Sequence, residues 1–388
     1  MKITTHFLIT TVCFWLCQTS QALIPITSHI DVEFDYLGNG EWREQLYGGG
    51  KSNDDLSEGA LPSDTAFIVV PDIEWQPGPA NRGARFNRPS SASWNFTGAE
   101  AGAPLWILTQ SDNSIAWPGI ENNHGASRVA SYSSDDPRVS SLSRHWIVLR
   151  LSDVHYVGKG QGHFALWQSG FGSNTVWAST SEGGITRDDA FFSLENGHDH
   201  ANWGFSDLGL YVIDLYAEAY LGPGKTNLTE SEVMPVIFAV GSYAIWQATH
   251  FELADLLDSD ISGDYEDPDK DGLVNIVEYA LNTSPSIADR SPMEPSTGSQ
   301  GSPAVFMDGN RLAIEFVRRR SETNPQINYR AVFSDSLNPE NEWKESGTTT
   351  ISPIDDSWER VKVVDTVPMN SAKARFARVE IEWEKIDP

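Results

Sequence analysis

Tyr211-Val212-Ile213-Asp214-Leu215-Tyr216-Ala217-Glu218 is the stretch on which the fold reading turns. Ile213, Leu215 and Ala217 recur at every second position and Asp214 and Glu218 occupy alternate ones, which predicts a strand with one apolar and one polar face. Residues 66–70, 104–109, 146–151 and 236–241 have the same strand-like texture. These runs are short and separated by Gly, Asn, Ser and Pro loops, with none of the strand–helix alternation of nucleotide-binding α/β folds. The expectation for residues 23–249 is therefore an antiparallel β-sandwich. Two long polar loops, 48–64 and 111–137, read either as disordered excursions or as walls of a site.

At 388 residues the chain has room for about two domains. Its 39% hydrophobic content, with 14 Trp, 17 Phe and 11 Tyr, is enough to build packed cores. The 27 Lys and Arg against 54 Asp and Glu give a net charge of −27. Such a surface repels nucleic acid and anionic lipid and favours bound cations.

Lys2, an apolar run over 7–17 and the small residues of Ser20-Gln21-Ala22 predict an export signal over 1–22, cut after Ala22. That run is too short to be a membrane anchor, and no later apolar stretch is long enough to cross a bilayer. The expected location is secreted, periplasmic or at the cell surface, with no transmembrane segment. Both cysteines, Cys13 and Cys17, fall inside the signal, so the exported chain is expected to have neither disulfides nor thiolate sites.

Residues 250–290 are dominated by acids. Within them, Asp267-Pro268-Asp269-Lys270-Asp271-Gly272-Leu273-Val274-Asn275-Ile276-Val277-Glu278 follows the spacing of an EF-hand-like loop. Asp267, Asp269, Asp271, the Leu273 carbonyl, Asn275 and Glu278 stand at the oxygen-ligand positions for Ca²⁺, and Gly272 supplies the turn. Leu273, Ile276, Val277, Ala280 and Leu281 then predict an amphipathic helix that Asn282 and Pro285 can stop. The competing reading of this segment is a solvated acidic linker. Asp258, Asp260 and Asp264 just before it are less regular and hold a second Ca²⁺ or none. A Ser-, Pro- and Gly-rich stretch ends in a linker at 291–303. Strand-like runs at 312–317, 327–333, 361–364 and 376–382 predict a smaller β-sandwich over 304–388. The whole chain thus reads as all-β: two β-sandwich domains joined by a short helical calcium-binding hinge.

Histidine supplies the second constellation. His198-Asp199-His200 places two imidazoles on one strand face ~6.6 Å apart, and His29-Ile30-Asp31 repeats that spacing. Two such strands side by side would bring His29, His198 and His200 together with Asp31. That is an N/O donor set suited to Zn²⁺ or another divalent transition metal. The plainer alternative is a polar turn whose imidazoles cap backbone groups. His124, His145, His155 and His163 read as surface or hydrogen-bonded residues, and the Trp residues mostly as core.

Two resemblances add to this. The 267–285 text resembles the Asp-rich calcium repeats of the dockerin and thrombospondin type 3 kind, in a form that precedes C-terminal β-domains of secreted bacterial proteins. His198-Asp199-His200-Ala201-Asn202-Trp203-Gly204-Phe205 through Tyr211 resembles the signature of the actinobacterial surface-anchored protein domain of choice-of-anchor M proteins. Residues 29–32, 105–110 and Trp117-Pro118-Gly119-Ile120 are similar to other elements of that family, so the likeness spans about 28–242. Thr109 departs from its pattern, as does the missing Gly before His29. The resemblance implies a secreted or surface non-enzymatic module that binds metal through His29, His198, His200 and Asp31, with Gln110 placed to orient a ligand. A metal transporter, a cell-envelope component or a polysaccharide is the implied partner.

The glycine clusters at 48–50 and 183–184 lack the phosphate-loop register, and there is neither a Gly-x-Ser-x-Gly elbow nor a His-Glu-x-x-His helix. Two alternatives to the metal-binding module remain: a glycan-binding adhesin that uses exposed Trp, and a metal-dependent hydrolase, which needs an open coordination position.

Overall fold

The computed structural model describes residues 22–48, 59–122, 127–170, 172–181, 183–320, 327–338 and 342–383. The export signal lies outside the described residues except for Ala22, as do His124 and most of the 48–64 loop. The described chain is all-β, with a few short helices.

Three sheets enclose the first core. The largest runs in the order Ile24–Ile26, Ala66–Val70, Met234–Val240, Gly209–Gly222, Arg144–Gly158, Ala190–Leu194. A second contains Asn174–Ser179, Phe164–Ser169, Asn202–Phe205, Pro104–Leu108 and Arg85–Asn87. The third, which carries the histidines, runs His198–His200, Trp117–Glu121, His29–Gly38, Glu41–Gly48, Gly59–Leu61. Most pairings are antiparallel, as the alternation suggests. Three are not: Ala66–Val70 lies parallel to both Ile24–Ile26 and Met234–Val240, and His29–Gly38 lies parallel to Trp117–Glu121. Long excursions between these strands let the chain return in the same direction.

The 211–218 alternation is realised on the Gly209–Gly222 strand. Ile213, Leu215 and Ala217 enter a core shared by all three sheets, together with Ile30, Val32, Phe34, Trp203, Phe205 and Phe238. Phe238 is fully buried, with its ring 5.3 Å from Trp203 and 5.0 Å from Phe205. Phe238→Ala is expected to cost ~3–5 kcal/mol, read as a lower midpoint in urea or thermal unfolding. A loss under about 1 kcal/mol would mean that this cluster is not a closed core.

On the opposite face of the same sheet, Leu210, Val212, Ile237 and Ala239 are covered by the helical segment. Its helices are Ser242–His250, Leu253–Leu256, Ser259–Ser262 and Asn275–Leu281. Trp246, Phe251, Ile276 and Tyr279 from this segment pack against the large sheet and also against Ile327, Tyr329 and Trp383. The acidic segment is thus the middle layer between two sets of strands. Beyond it, a four-stranded sheet (Ala304–Asp308, Arg311–Arg319, Trp358–Pro368, Thr348–Pro353) and the pair Ile327–Ser334 with Phe376–Trp383 share a core of Leu312, Ile314, Phe316, Phe333, Val361 and Val363. The Ser/Pro/Gly-rich stretch lies against these strands: Met293 is buried beside Val317 and Trp358, and Arg360 donates to the Thr297 and Gly298 carbonyls.

Candidate metal centres

On His29–Gly38 the apolar side chains Ile30, Val32, Phe34 and Tyr36 face the core. By the two-residue period, His29, Asp31, Glu33 and Asp35 share the other face. The neighbouring Trp117–Glu121 strand pairs in register, Trp117 opposite His29, Gly119 opposite Asp31 and Glu121 opposite Glu33. Its far edge pairs with the His-x-His strand, Gly119 opposite His200 and Glu121 opposite His198. The two histidine-bearing strands are therefore not side by side, as the sequence reading supposed. One strand separates them, so their backbones stand ~9.5 Å apart.

Gly119 closes that gap because it has no side chain. A Cβ built on it would sit 2.1 Å from Asp31 Oδ1, 2.9 Å from His198 Nε2 and 3.2 Å from His200 Cε1. Side chains from both flanking strands lean into this space. One ring nitrogen from each of His29, His198 and His200 falls within 4.8 Å of the others. Asp31 Oδ1 lies 3.0 Å from His198 Nε2 and 3.5 Å from His29 Nε2. Trp117 forms one wall, its ring stacked on His200 at 3.6 Å and 3°. All four residues that the sequence reading assigned to this centre are thus gathered in one place.

The electrostatics fit a cation. Asp31 is 2% exposed and its Oδ1, apart from the two imidazoles, has no hydrogen-bond partner. Its carboxyl is pushed up to about 7 by burial, opposed by His198 and reinforced by Glu121. Glu33 and Asp35, equally buried on the same face, are held by Arg43, with Gln45 donating to Glu33. Burial, then the proximity of His198 and His29, lowers His200 to about 4, and burial with His198 lowers His29 as well. Those two rings are uncharged at neutral pH, the form that offers a lone pair to a metal. A buried, unpartnered carboxylate oxygen beside three imidazoles is a donor set for Zn²⁺ or a similar ion.

Three contributors escaped the sequence reading: Gly119, Trp117 and Glu121. Trp117 and Gly119 lie in the Trp117-Pro118-Gly119-Ile120 element and Glu121 follows it, but the place of this strand between the histidine strands depends on sheet order. Gln110 bonds within the protein. Its amide accepts from the Ser169 N–H and the Asn202 side chain and donates to the Ser169 carbonyl, which ties two strand ends together. His163 packs beside Gly98, away from the cluster. His145 bonds a backbone carbonyl through Nδ1, a hydrogen-bonded role as expected, while His155 lies between Asp153 and Asp214 and His250 bonds the Trp246 carbonyl.

The acidic loop forms the second centre. Asp267, Asp269 and Asp271 each bring a carboxylate oxygen within 4.8 Å of the others. The loop backbone holds them there: the Asp271 N–H donates to Asp267 and Asp269, Gly272 N–H to Asp267 and Leu273 N–H to Asp271. Lys270 and Gly272 take left-handed conformations, and at Gly272 a Cβ would meet the Arg290 guanidinium at 2.8 Å. Glu278 is fully buried and its Oε2 has no partner, as is true of Asp269 Oδ2 and Asp271 Oδ2. Burial and then the charges of Asp269 and Asp271 push Glu278 up to about 8. Carboxylates this crowded form no ion pair among the described residues, and a hard cation with oxygen ligands would supply the counter-charge.

Asn275 is buried, with its side-chain nitrogen donating to the Ile261 and Gly263 carbonyls, so that it ties the loop to the preceding helix. The predicted helix spans Asn275–Leu281 and ends on Asn282 in the left-handed conformation. Asp258 caps the Ser259–Ser262 helix and Asp264 pairs with Lys159.

The chain matches no protein-family model, and no curated protein is significantly similar to it.

Proposed function

We propose that this protein is an exported, non-enzymatic surface module that binds a divalent transition metal, Zn²⁺ or a close relative, at His29, His198, His200 and Asp31. Ca²⁺ at Asp267, Asp269, Asp271 and Glu278 orders the layer between its two sets of strands. The observation that carries this reading is the convergence over Gly119 of three imidazoles and a buried carboxylate that faces two of them, drawn from strands distant in the sequence. The resemblance of the 198–211 stretch to surface-anchored modules agrees with it. Among the described residues no helix is long and apolar enough to cross a membrane.

The test is elemental analysis of the purified protein beside His198→Ala and His29→Ala. The parent should carry about one transition-metal ion per chain. Each variant should lose at least tenfold in affinity, since a missing ligand leaves the buried Asp31 poorly compensated. Equal metal content in all three proteins would defeat the assignment.

A further inference from the structure

The outward face of the Gly209–Gly222 strand carries a third site, which shares no residue with either metal centre. Alternation places Glu218 and Tyr220 away from the core occupied by Ala217 and Ala219. A carboxylate there would ordinarily face water, yet Glu218 is only 3% exposed. The end of the long 111–137 loop folds over it and leaves a cleft of about 490 Å³. Aromatic rings line the sheet side: Tyr132 and Tyr220 meet edge to face at 5.1 Å, with Phe192 beside them. Asp135, Asp136 and Arg138 form the loop side.

Each cation of the cleft is bound to a carboxylate of the cleft. Arg138 grips both oxygens of Asp136 through Nε at 2.9 and 3.1 Å. Arg150 and Arg187 both bind Glu218, and Lys225 binds Asp135. The lining therefore carries four basic and four acidic side chains, Asp188 being the fourth acid, in a protein whose net charge is −27. The charges of the lining balance, so the cleft as a whole is neutral. What the lining still offers is the remaining Arg187 N–H groups and carboxylate lone pairs next to aromatic rings. A neutral polyhydroxylated ligand satisfies both: its hydroxyls donate and accept, and its C–H faces lie on rings. The volume falls within the range of ordinary ligand pockets, ~300–1,000 Å³.

We infer that this cleft binds a neutral oligosaccharide. The test is calorimetry on the full chain with cello-, xylo- and manno-oligosaccharides, and with oligogalacturonates as the acidic comparison. Arg187→Gln and Tyr220→Leu are the variants. Arg187 has a 59% exposed side chain, and its loss leaves Arg150 on Glu218, so the fold should survive. Saturable binding of a neutral saccharide is expected, weakened at least tenfold in each variant, with metal content and melting temperature unchanged. Should Tyr220→Leu melt early, Arg187→Gln alone decides. No binding of any neutral saccharide, binding unaffected by Arg187→Gln, or preference for the galacturonates would overturn the proposal. Metal content is read separately, so failure here leaves the histidine centre standing, and the reverse.

Discussion

Gly119→Ala is expected to abolish the transition-metal binding proposed for the histidine centre while replacing none of the four ligand residues. The added methyl would occupy the space in which Asp31 Oδ1 and His198 Nε2 now meet, at 2.1 and 2.9 Å from the new carbon. Neither neighbour can yield freely. Asp31 is a short side chain on a buried strand position, and His198 is fixed to the edge strand that pairs with Glu121. Both must turn away, and the donor set opens. Losses of ~10–100-fold are ordinary when even an outer partner of a metal ligand is changed, and direct displacement of two ligands should exceed that. Metal titration followed by elemental analysis reads the effect, and circular dichroism reports whether the sheets persist. A Gly119→Ala protein that still bound metal as the parent does would show that the imidazoles do not need this gap. The donor set would then have to lie elsewhere.

The second large effect concerns calcium. Removing Ca²⁺ with EGTA should lower the thermal midpoint by about 3–5 °C, because a ligand at ~100–1,000 times its dissociation constant stabilises by ~3–4 kcal/mol and a chain of this size has an unfolding entropy of ~0.8 kcal/mol/K. The reach of the loop explains why the whole protein should respond. Glu278 lies on the Asn275–Leu281 helix, whose Tyr279 bonds Ser242 Oγ and lies under the Arg319 guanidinium at 3.6 Å. Tyr329 from the C-terminal strands bonds the Ala280 carbonyl. An uncompensated loop would loosen the layer that joins both sets of strands.

pH gives the signature. With its folded value raised to about 8 from an ordinary 4.5, Glu278 holds a proton more tightly in the folded than in the unfolded chain. Without calcium, its contribution therefore favours folding at low pH and is lost as pH rises from about 4.5 to about 8. With calcium, that decline should vanish, since the ion replaces the proton. Glu278→Gln should separate the two, with stability in EGTA equal to or above the parent and little response to calcium. A parent midpoint indifferent to calcium at millimolar concentration would dispose of the loop as a cation site.

Much of this was legible in the sequence, and the reason is locality. The Tyr211–Glu218 alternation reports a pleat with a period of two residues, and Ile213, Leu215 and Ala217 entered the core as it implied. The spacing of Asp267, Asp269 and Asp271 fixes their convergence within one turn of chain, and Asn282 could be read as a stop because few residues accept a left-handed conformation. Grouping His29 with His198 and His200 went beyond locality and rested on a repeated spacing together with a family likeness.

What no local pattern contained was the order of strands. The Trp117–Glu121 strand separates the histidine strands, so a glycine, silent in any ligand search, becomes the floor of the centre. Only the fold brings Ser169 and Asn202 beside Gln110. The alternation places Glu218 on the polar face of its strand, and only the return of the 131–138 segment across the sheet buries it between two arginines. The all-β class and the acidic loop follow from residue order alone, because period and spacing act between near neighbours. The tertiary structure alone decided which far-separated side chains share a face, because register is set by the packing of whole sheets.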